Sequence, residues 1–371
     1  MKLENTQQAF LSLVKAGLWG DAGFMDSRNH GFVEPVDWEV INRLAEDQSV
    51  IGVVLAGLEH SNVKPSQDLL LQWIGEVQLL EQQNKAMNQF VAQLITFLRK
   101  NEVFVLLVKG QGIGQCYERP LWRVCGDVDL LVDKDNYKKA KDILLKKAED
   151  GYEEDSERMH LSMMIENWAV ELHGTMHGGW SKRVDQLIDV AQDNCFKSGI
   201  VRTWRNGETQ VFLPSPDNDL IFVFTHILQH FFVEGIGLRQ ICDWCRLIWK
   251  CRGDIDLRLL EKRLTSVGLM PKWKAFAALA VEYLGMDSQT MPFYSAETKW
   301  KKKADRLLGL IMETGNFGFA RDKSYKQKHP LFIRYVISFY RHTSDMYRKA
   351  MMFPKDSVIS WCRTMIRGVV K

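Results

Sequence analysis

The chain has 371 residues, of which 46% are hydrophobic and 26% are charged. This length excludes a small disulfide framework and suffices for one large or two medium hydrophobic cores. The formal net charge of +3 does not indicate by itself an anionic partner.

The cysteines and the apolar windows predict a cellular location. Seven cysteines, an odd number, are spread over a long chain, which is typical of free thiols in a reducing compartment. Residues 1–8 are polar and lack the apolar region of a signal peptide. The most apolar window, residues 220–238, contains His226, His230 and Glu234, which favours a buried helix over a membrane span. We therefore expect a cytoplasmic protein without a transmembrane segment.

Residues 1–100 predict an N-terminal helical region. Pro35-Val-Asp37 and Pro65-Ser66 are typical helix starts, and apolar residues at helical spacing follow both. The second of these helices is long and is expected to reach about Arg99. Its Trp and Leu side chains are interpreted as core residues.

Residues 101–215 predict an α/β core. Strands are expected at 104–108 and 127–132, on either side of a short helix at 110–118, and a further helix starts near Asp135. Strands at 158–165 and 168–172 are joined by a turn at Glu166-Asn167. A hairpin is centred on Asn206-Gly207.

The remaining residues predict helices again. A helical region at 216–290 begins at Pro214-Ser215-Pro216-Asp217 and is broken at Gly235 and Gly237. Basic, aromatic-rich helices follow at 291–371, with breaks at Pro330 and Pro354. This last region has 17 Lys and Arg against 6 Asp and Glu, a net charge of +11. No long linker separates the regions, which predicts one packed body.

The central motif runs from Arg123-Val-Cys-Gly126 into Asp127-Val128-Asp129-Leu130-Leu131-Val132. Read as a strand, it places Asp127 and Asp129 on one face, and Val128 and Leu130 on the other. Two adjacent carboxylates repel each other and are stabilised by a cation. Mg²⁺, a hard ion with oxygen ligands, fits such a pair and leaves positions for substrate phosphates.

A phosphate-binding turn is predicted just upstream. The strand at 104–108 leads directly into Lys109-Gly110 at the start of a helix, where backbone N–H groups and an ammonium favour anions. The alternative is a lysine at a strand exit, with a glycine needed only for the turn. Arg123 also matches phosphate geometry; its alternative is a salt bridge that restrains the aspartates.

The order of strand, Lys-Gly turn, short helix and Asp-x-Asp strand resembles the nucleotidyltransferase fold of the DNA polymerase β superfamily. One uncharacterised bacterial nucleotidyltransferase family of this superfamily is similar over about residues 80–320, in Leu107-Val-Lys-Gly110, Arg119-Pro120, Arg123, Gly126-Asp-Val-Asp-Leu-Leu-Val132 and Val170-Glu171-Leu172-His173. Lys109-Gly110 stands where the superfamily usually has Gly-Ser. The resemblance implies an α+β fold, in which a polymerase β-like core with a mixed sheet lies between helical N- and C-terminal regions.

The resemblance also implies a reaction. An NMP group passes from an NTP, such as ATP, to an acceptor hydroxyl, and pyrophosphate is released with the help of two Mg²⁺ ions. Asp127 and Asp129 are the expected metal ligands, and Glu171 is the candidate third carboxylate and general base. The alternative for Glu171 is a charged residue on an edge strand. The acceptor stays open: a small molecule, a sugar or a protein side chain.

Other residues are assigned to the nucleotide or left with two interpretations. Lys109, Gly110 and Arg123 are the expected phosphate ligands, and His173 is a candidate to orient Glu171 or to contact phosphate. The alternative for His173 is a structural histidine. A second group is expected either to close over the substrates or to be buried and structural: His226, His230, Arg239 and Asp243.

Three motifs are interpreted as structural. Cys242-Asp-Trp-Cys245 lies within a helical pattern without a second cysteine pair, which disfavours zinc. Gly253-Asp254-Ile255-Asp256 repeats the Gly-Asp-x-Asp pattern of the central motif, but its last residue is expected to cap a helix. Gly112 and Gly114 lack the third glycine and acidic partner of a dinucleotide-binding motif.

Rival functions rest on particular features. The Lys-Gly departure, together with a glutamate as third carboxylate where the superfamily more often has aspartate, motivates a catalytically inactive nucleotide-binding or regulatory protein of the same fold. The basic, aromatic C-terminal region motivates a nucleic-acid nucleotidyltransferase, with salt-dependent binding, and, more weakly, a role at a membrane surface. The oligomeric state is not specified by the sequence.

Overall fold

The computed structural model describes residues 4–25, 35–149, 151–179, 181–318, 320, 328 and 330–370. Helices dominate, and a mixed five-stranded sheet and a separate hairpin lie in the middle of the chain. The fold is therefore α+β with helical regions on both sides of the sheet, as predicted. The division at 100, 215 and 290 stays a prediction.

The described N-terminal helices are α1 Asn5–Trp19, α2 Trp38–Asp47, α3 Ile51–Leu58 and α4 Gln67–Lys100. Both predicted helix starts are confirmed, because the side chains of Asp37 and Ser66 accept hydrogen bonds from backbone N–H groups in the first turn. The second half of α4 packs apolar side chains against Val128, Leu130 and Leu172 of the sheet. This packing covers one face of the sheet. The opposite face carries Asp127 and Asp129, together with apolar side chains of β1 and β2 that belong to the larger core: Leu106, Val108 and Leu131.

The sheet contains β1 Leu106–Val108, β2 Asp127–Leu131, β3 Tyr152–Asp155, β4 His160–Ile165 and β5 Trp168–His173. Its order is β1-β2-β5-β4-β3, with β2 and β5 parallel and the other neighbours antiparallel. Four of these strands and the turn at Glu166-Asn167 are as predicted, and both turn residues have positive φ angles. The sequence analysis missed β3, since this edge strand is largely exposed and acidic and shows no apolar alternation.

Short helices and the hairpin surround the sheet: α5 Gly110–Gly114, α6 Tyr137–Leu144, α7 Lys182–Phe196, β6 Val201–Asn206 and β7 Thr209–Pro214. The predicted helix at 110–118 is shorter than expected, because it ends at Gly114 and a 3₁₀ turn follows at Pro120–Trp122. No prediction was made for α7. The hairpin is confirmed, and Gly207 provides its positive φ of 59°.

The later helices are α8 Pro216–Val233, α9 Leu238–Cys251, α10 Leu257–Ser266, α11 Met270–Leu284, α12 Thr298–Thr314, α13 Leu331–Ala350 and α14 Pro354–Val370. The predicted breaks at Pro330 and Pro354 are confirmed. Aromatic rings of α8, α9 and α11 meet in the larger core, where Phe224 contacts both Trp244 and Trp273. On α13, in the region predicted to be basic and aromatic-rich, five aromatic side chains are exposed: Phe332, Tyr335, Phe339, Tyr340 and Tyr347.

Among the described helices, none has the length and apolar content needed to cross a membrane.

Gln192 of α7 ties together the two strands that carry the candidate carboxylates. Its buried Nε2 donates to the carbonyl oxygens of Val132 and Gly174, at 3.1 and 2.8 Å, directly after β2 and β5. We expect Gln192→Leu to lower the free energy of unfolding by about 1–3 kcal/mol, because two buried acceptors lose their donor. Urea denaturation measures this change. Gln72→Leu, at an exposed site on α4, is the control, and an equal effect in both variants would contradict the role of Gln192.

Candidate active site

Three carboxylates meet on the face of the sheet opposite α4. Asp127 and Asp129 lie on β2, and the parallel register pairs Asp129 with Glu171 of β5. Each of the three offers an oxygen within 4.8 Å of the others. The alternation predicted from the sequence is the reason, since Val128 and Val170 point into the core on the other side. An all-oxygen set of this kind fits Mg²⁺.

Lys109 reaches this group from the neighbouring strand. Val108 pairs with Asp129 across β1 and β2, and the next residue extends Nζ to 2.8 Å from Asp129 Oδ1. The backbone turns sharply there, with φ of 55° at Lys109 and 32° at Gly110. A Cβ atom at Gly110 would lie 3.3 Å from Asp127 O and from Cys125 Sγ. The glycine is therefore required by the turn, and the turn brings the ammonium to the carboxylates.

Two histidines hold the third carboxylate. His173 Nε2 lies 2.9 Å from Asp129 Oδ1 and 3.5 Å from Glu171 Oε2. His160 Nε2 lies 3.2 Å from the same Glu171 oxygen, and the two imidazole rings stack at 4.8 Å. His160 was not a candidate from the sequence. The signal was present, because counting outward from the turn at Glu166-Asn167 pairs His160 with His173.

The electrostatics of the group favour a bound cation. The charge of Asp129, and then burial, raise the pKa of Asp127 more than Lys109 lowers it. Burial lowers the pKa of Lys109, but Asp129 and the other two carboxylates outweigh it and raise that pKa. Burial raises the pKa of Glu171, yet the two histidine hydrogen bonds and Lys109 outweigh it and hold that pKa far below its usual range. One ammonium thus faces three carboxylates, and a divalent ion would balance the remaining charge.

Arg123 is placed differently from the other candidates. Its Nε and Nη2 bind the two oxygens of Asp243 at 2.9 and 2.7 Å, and both side chains are buried. Tyr117 donates its hydroxyl hydrogen to the same carboxylate at 2.8 Å. The alternative, in which Arg123 forms a salt bridge to Asp127 or Asp129, is therefore wrong, because its salt-bridge partner among the described residues is Asp243. Nη1 has no hydrogen-bond partner in the described part of the chain, and contact of Arg123 with phosphate stays a prediction.

Two cavities meet at the carboxylates and share Lys109, Asp127 and His226. The larger, of about 290 Å³, lies toward β4 and β5 and is also lined by Arg158, His160, Glu171, His173, Thr175, Met176, His177, Gln229 and His230. The smaller, of about 50 Å³, lies toward α5 and α9 and includes Gly110, Arg123, Arg239, Gln240 and Asp243. The second group of sequence candidates, His226, His230, Arg239 and Asp243, thus lines these cavities. Burial, and then Lys109 and His230, lower the pKa of His226.

Two of the motifs interpreted as structural, the cysteine pair and Gly253-Asp254-Ile255-Asp256, contribute no member to the ligand groups found among the described residues. Cys242 and Cys245 are fully buried in α9 and belong to neither group of potential metal ligands found among the described residues. Asp256 accepts hydrogen bonds from the backbone N–H groups of Arg258 and Leu259, which confirms its role as the cap of α10.

A carboxylate triad on an α+β core, next to a Lys-Gly turn, is the combination that the sequence resemblance to one nucleotidyltransferase family led us to expect. A family model described as "Uncharacterised nucleotidyltransferase" matches residues 34–285, which is more than half of the chain. The chain belongs to this family, and the predicted membership is confirmed. Membership supports the transfer of nucleotidyl groups as the general activity. Comparisons with curated proteins and with solved structures gave no significant match.

Proposed function

We propose that this protein transfers an NMP group from an NTP to a hydroxyl group of an acceptor and uses Mg²⁺ as its cofactor. The observation that carries the proposal is the approach of Asp127, Asp129 and Glu171 to within 4.8 Å of one another, beside Lys109. The family supports the same reaction class. In this reaction the acceptor hydroxyl loses its proton to solvent water, its oxygen forms a bond to the α-phosphorus, the bond from the α-phosphorus to the β-phosphate breaks, and pyrophosphate leaves.

The chain's residues divide the work. Asp127, Asp129 and Glu171 would hold one or two Mg²⁺ ions, which when bound neutralise phosphate charge and lower the pKa of an attacking hydroxyl. Lys109 would donate hydrogen bonds to a phosphate of the NTP. The depressed pKa of Glu171 keeps this carboxylate ionised and makes it a weak base. This favours metal ligation over proton abstraction as its role.

His173 would act through the carboxylates. It is buried against Asp129 and Glu171, at 2.9 and 3.5 Å. Burial and Lys109 lower its pKa, but hydrogen bonds to both carboxylates outweigh them and raise it. These contacts favour the role of orienting Glu171 over direct contact with phosphate.

Calorimetric titration of ATP, GTP, CTP and UTP with Mg²⁺ tests the proposal. We expect binding of at least one nucleotide, and a loss of about 10–100-fold in its affinity in Lys109→Met, because a hydrogen bond to a charged group contributes about 1.5–3 kcal/mol. Lys85→Met is the matched control, since Lys85 forms an exposed salt bridge to Glu81 at 2.6 Å on α4.

Each outcome of this titration has a distinct meaning. Equal affinity in the wild type and Lys109→Met would contradict the role of Lys109. Failure of the folded protein to bind any of the four nucleotides would contradict the proposed function. Nucleotide binding in the titration, with no release of pyrophosphate in a separate assay, would support the inactive, regulatory alternative.

A further inference from the structure

A second group of potential metal ligands lies beside the carboxylates, on β4 and β5. His160, Glu171 and His173 each offer one ligand atom, and these atoms lie within 4.8 Å of one another. The antiparallel register places His160 directly opposite His173. Both Nε2 atoms point to the same Glu171 oxygen, at 3.2 and 3.5 Å. The sheet thus presents two imidazoles and one carboxylate to a single point.

The chemistry of these donors differs from that of the carboxylate triad. Mg²⁺ prefers oxygen ligands in a regular octahedral arrangement. Imidazole nitrogen favours first-row transition metals, with affinities that increase from Mn²⁺ toward Zn²⁺ and Cu²⁺. Glu171 belongs to both groups, so its two oxygens are in a position to contact two ions of different kinds.

The second group is open to solvent on the side of the larger cavity. The side chains of His160 and Glu171 are 32% and 29% exposed, which leaves a path for an incoming ion. The same cavity, of about 290 Å³, provides room for the remaining water ligands. It is also lined by Thr175, whose buried Oγ1 has no hydrogen-bond partner in the part of the chain that the structure describes. An ion with bound water would supply such a partner.

We propose that His160, Glu171 and His173 bind a first-row transition metal ion of the Zn²⁺ or Cu²⁺ class, next to the carboxylate triad. The inference goes beyond the proposed transfer reaction and needs neither nucleotide nor acceptor. Ligation by Nε2 requires that each imidazole carry its remaining proton on Nδ1. His173 then exchanges its contact with Asp129 for the metal.

Pulsed electron paramagnetic resonance of one equivalent of Cu²⁺, a paramagnetic ion that suits imidazole ligands, bound to the full-length protein tests this site. Coordinated imidazole gives ¹⁴N coupling that carboxylate and water ligands do not give. We expect this coupling in the wild type and its reduction in His160→Gln. Zn²⁺ affinity, measured by competition with a chromophoric chelator, is expected to decrease at least about tenfold in the same variant. Mg²⁺ affinity is expected to stay within about twofold, because the triad keeps its oxygens.

His177→Gln is the matched control. His177 lines the same cavity but binds Asp189 at 2.9 Å and is outside the ligand group. We expect the ¹⁴N coupling and the Zn²⁺ affinity of the His177→Gln variant to equal those of the wild type. A wild-type spectrum without ¹⁴N coupling overturns the proposal. This test needs only the wild-type protein, so it holds even if a variant fails to fold. So does unchanged coupling in both His160→Gln and His173→Gln, because the nitrogen ligand then lies elsewhere. Loss of nucleotide transfer does not alter these readouts, so failure of either proposal is recognised separately.

Discussion

Replacement of both motif aspartates, Asp127→Asn with Asp129→Asn, is expected to reduce nucleotidyl transfer by at least about 1,000-fold. Metal ions contribute several kcal/mol to transition-state stabilisation in such reactions, and each 1.36 kcal/mol changes the rate about tenfold. The variant removes two of the three carboxylates that approach within 4.8 Å. Release of pyrophosphate from the bound NTP measures transfer, and calorimetry with and without Mg²⁺ measures the metal-dependent part of nucleotide affinity. That part is expected to disappear.

The chain itself provides a matched control in Gly253-Asp254-Ile255-Asp256, which repeats the Gly-Asp-x-Asp pattern of the central motif. Asp254→Asn with Asp256→Asn makes the same chemical change. Because asparagine caps helices about as well as aspartate, α10 is expected to keep its start and transfer to keep its wild-type rate. Full transfer by the Asp127/Asp129 variant would show that the carboxylate assignment is wrong. Equal losses in both variants would point to a general effect on folding.

The stability of the Asp127/Asp129 variant separates chemistry from folding. Asp129 raises the pKa of Asp127 through repulsion, and conversion to amides removes this repulsion. The same substitutions remove the salt bridge between Lys109 and Asp129. These effects oppose each other, so we expect a thermal midpoint close to that of the wild type. A fully folded variant without transfer is then the result that supports the assignment.

The parts of the site that the sequence predicts follow from local periodicity. Alternation along residues 127–132 places two carboxylates on one face, and the same rule places Glu171 and His173 together on β5. His160 follows from the same predicted hairpin, once its strands are paired residue by residue. Local patterns also predicted the caps at Asp37, Ser66 and Asp256.

Two missed elements illustrate different limits. The helix α7 has a visible helical period in Val184, Leu187, Ile188 and Ala191, so its absence from the prediction was an omission and not a lack of signal. The edge strand β3 has no such pattern. It pairs with β4 through its backbone, and backbone hydrogen bonds leave little trace in the side chains of an exposed strand.

The pairing of Arg123 with Asp243 was beyond local patterns. The two residues are separated by 120 positions and meet only when α9 packs beside the loop before β2. The cavities have the same origin, since α8 contributes His226 to both of them and α9 contributes Arg239 and Asp243 to the smaller one. The periodicity of a helix or strand does not indicate which distant segment packs against it, because this depends on tertiary packing.

Loss of the buried carboxylate in Asp243→Ala is expected to lower the free energy of unfolding by about 3–5 kcal/mol, because a buried guanidinium is left without its counter-charge. Burial alone would raise the pKa of Asp243, but Arg123 outweighs it and holds this carboxyl ionised. Arg239 Nη1 lies 3.8 Å from the same carboxylate and loses a neighbour as well. Denaturant unfolding measures the change. Glu59→Ala is the control, since its pair with Arg119 at 2.5 Å is exposed and contributes about 0–1 kcal/mol.

The double variant Arg123→Met with Asp243→Leu then separates structure from phosphate binding. Replacement of both buried charges by apolar side chains of similar size is expected to recover most of the stability. If Arg123 serves only this ion pair, the recovered protein binds the NTP with wild-type affinity. If its free Nη1 contacts phosphate, affinity stays about tenfold or more below the wild type, since a charge-assisted hydrogen bond is lost. For the single variants, an equal decrease in the free energy of unfolding in Asp243→Ala and Glu59→Ala would contradict the importance of the buried Arg123–Asp243 pair.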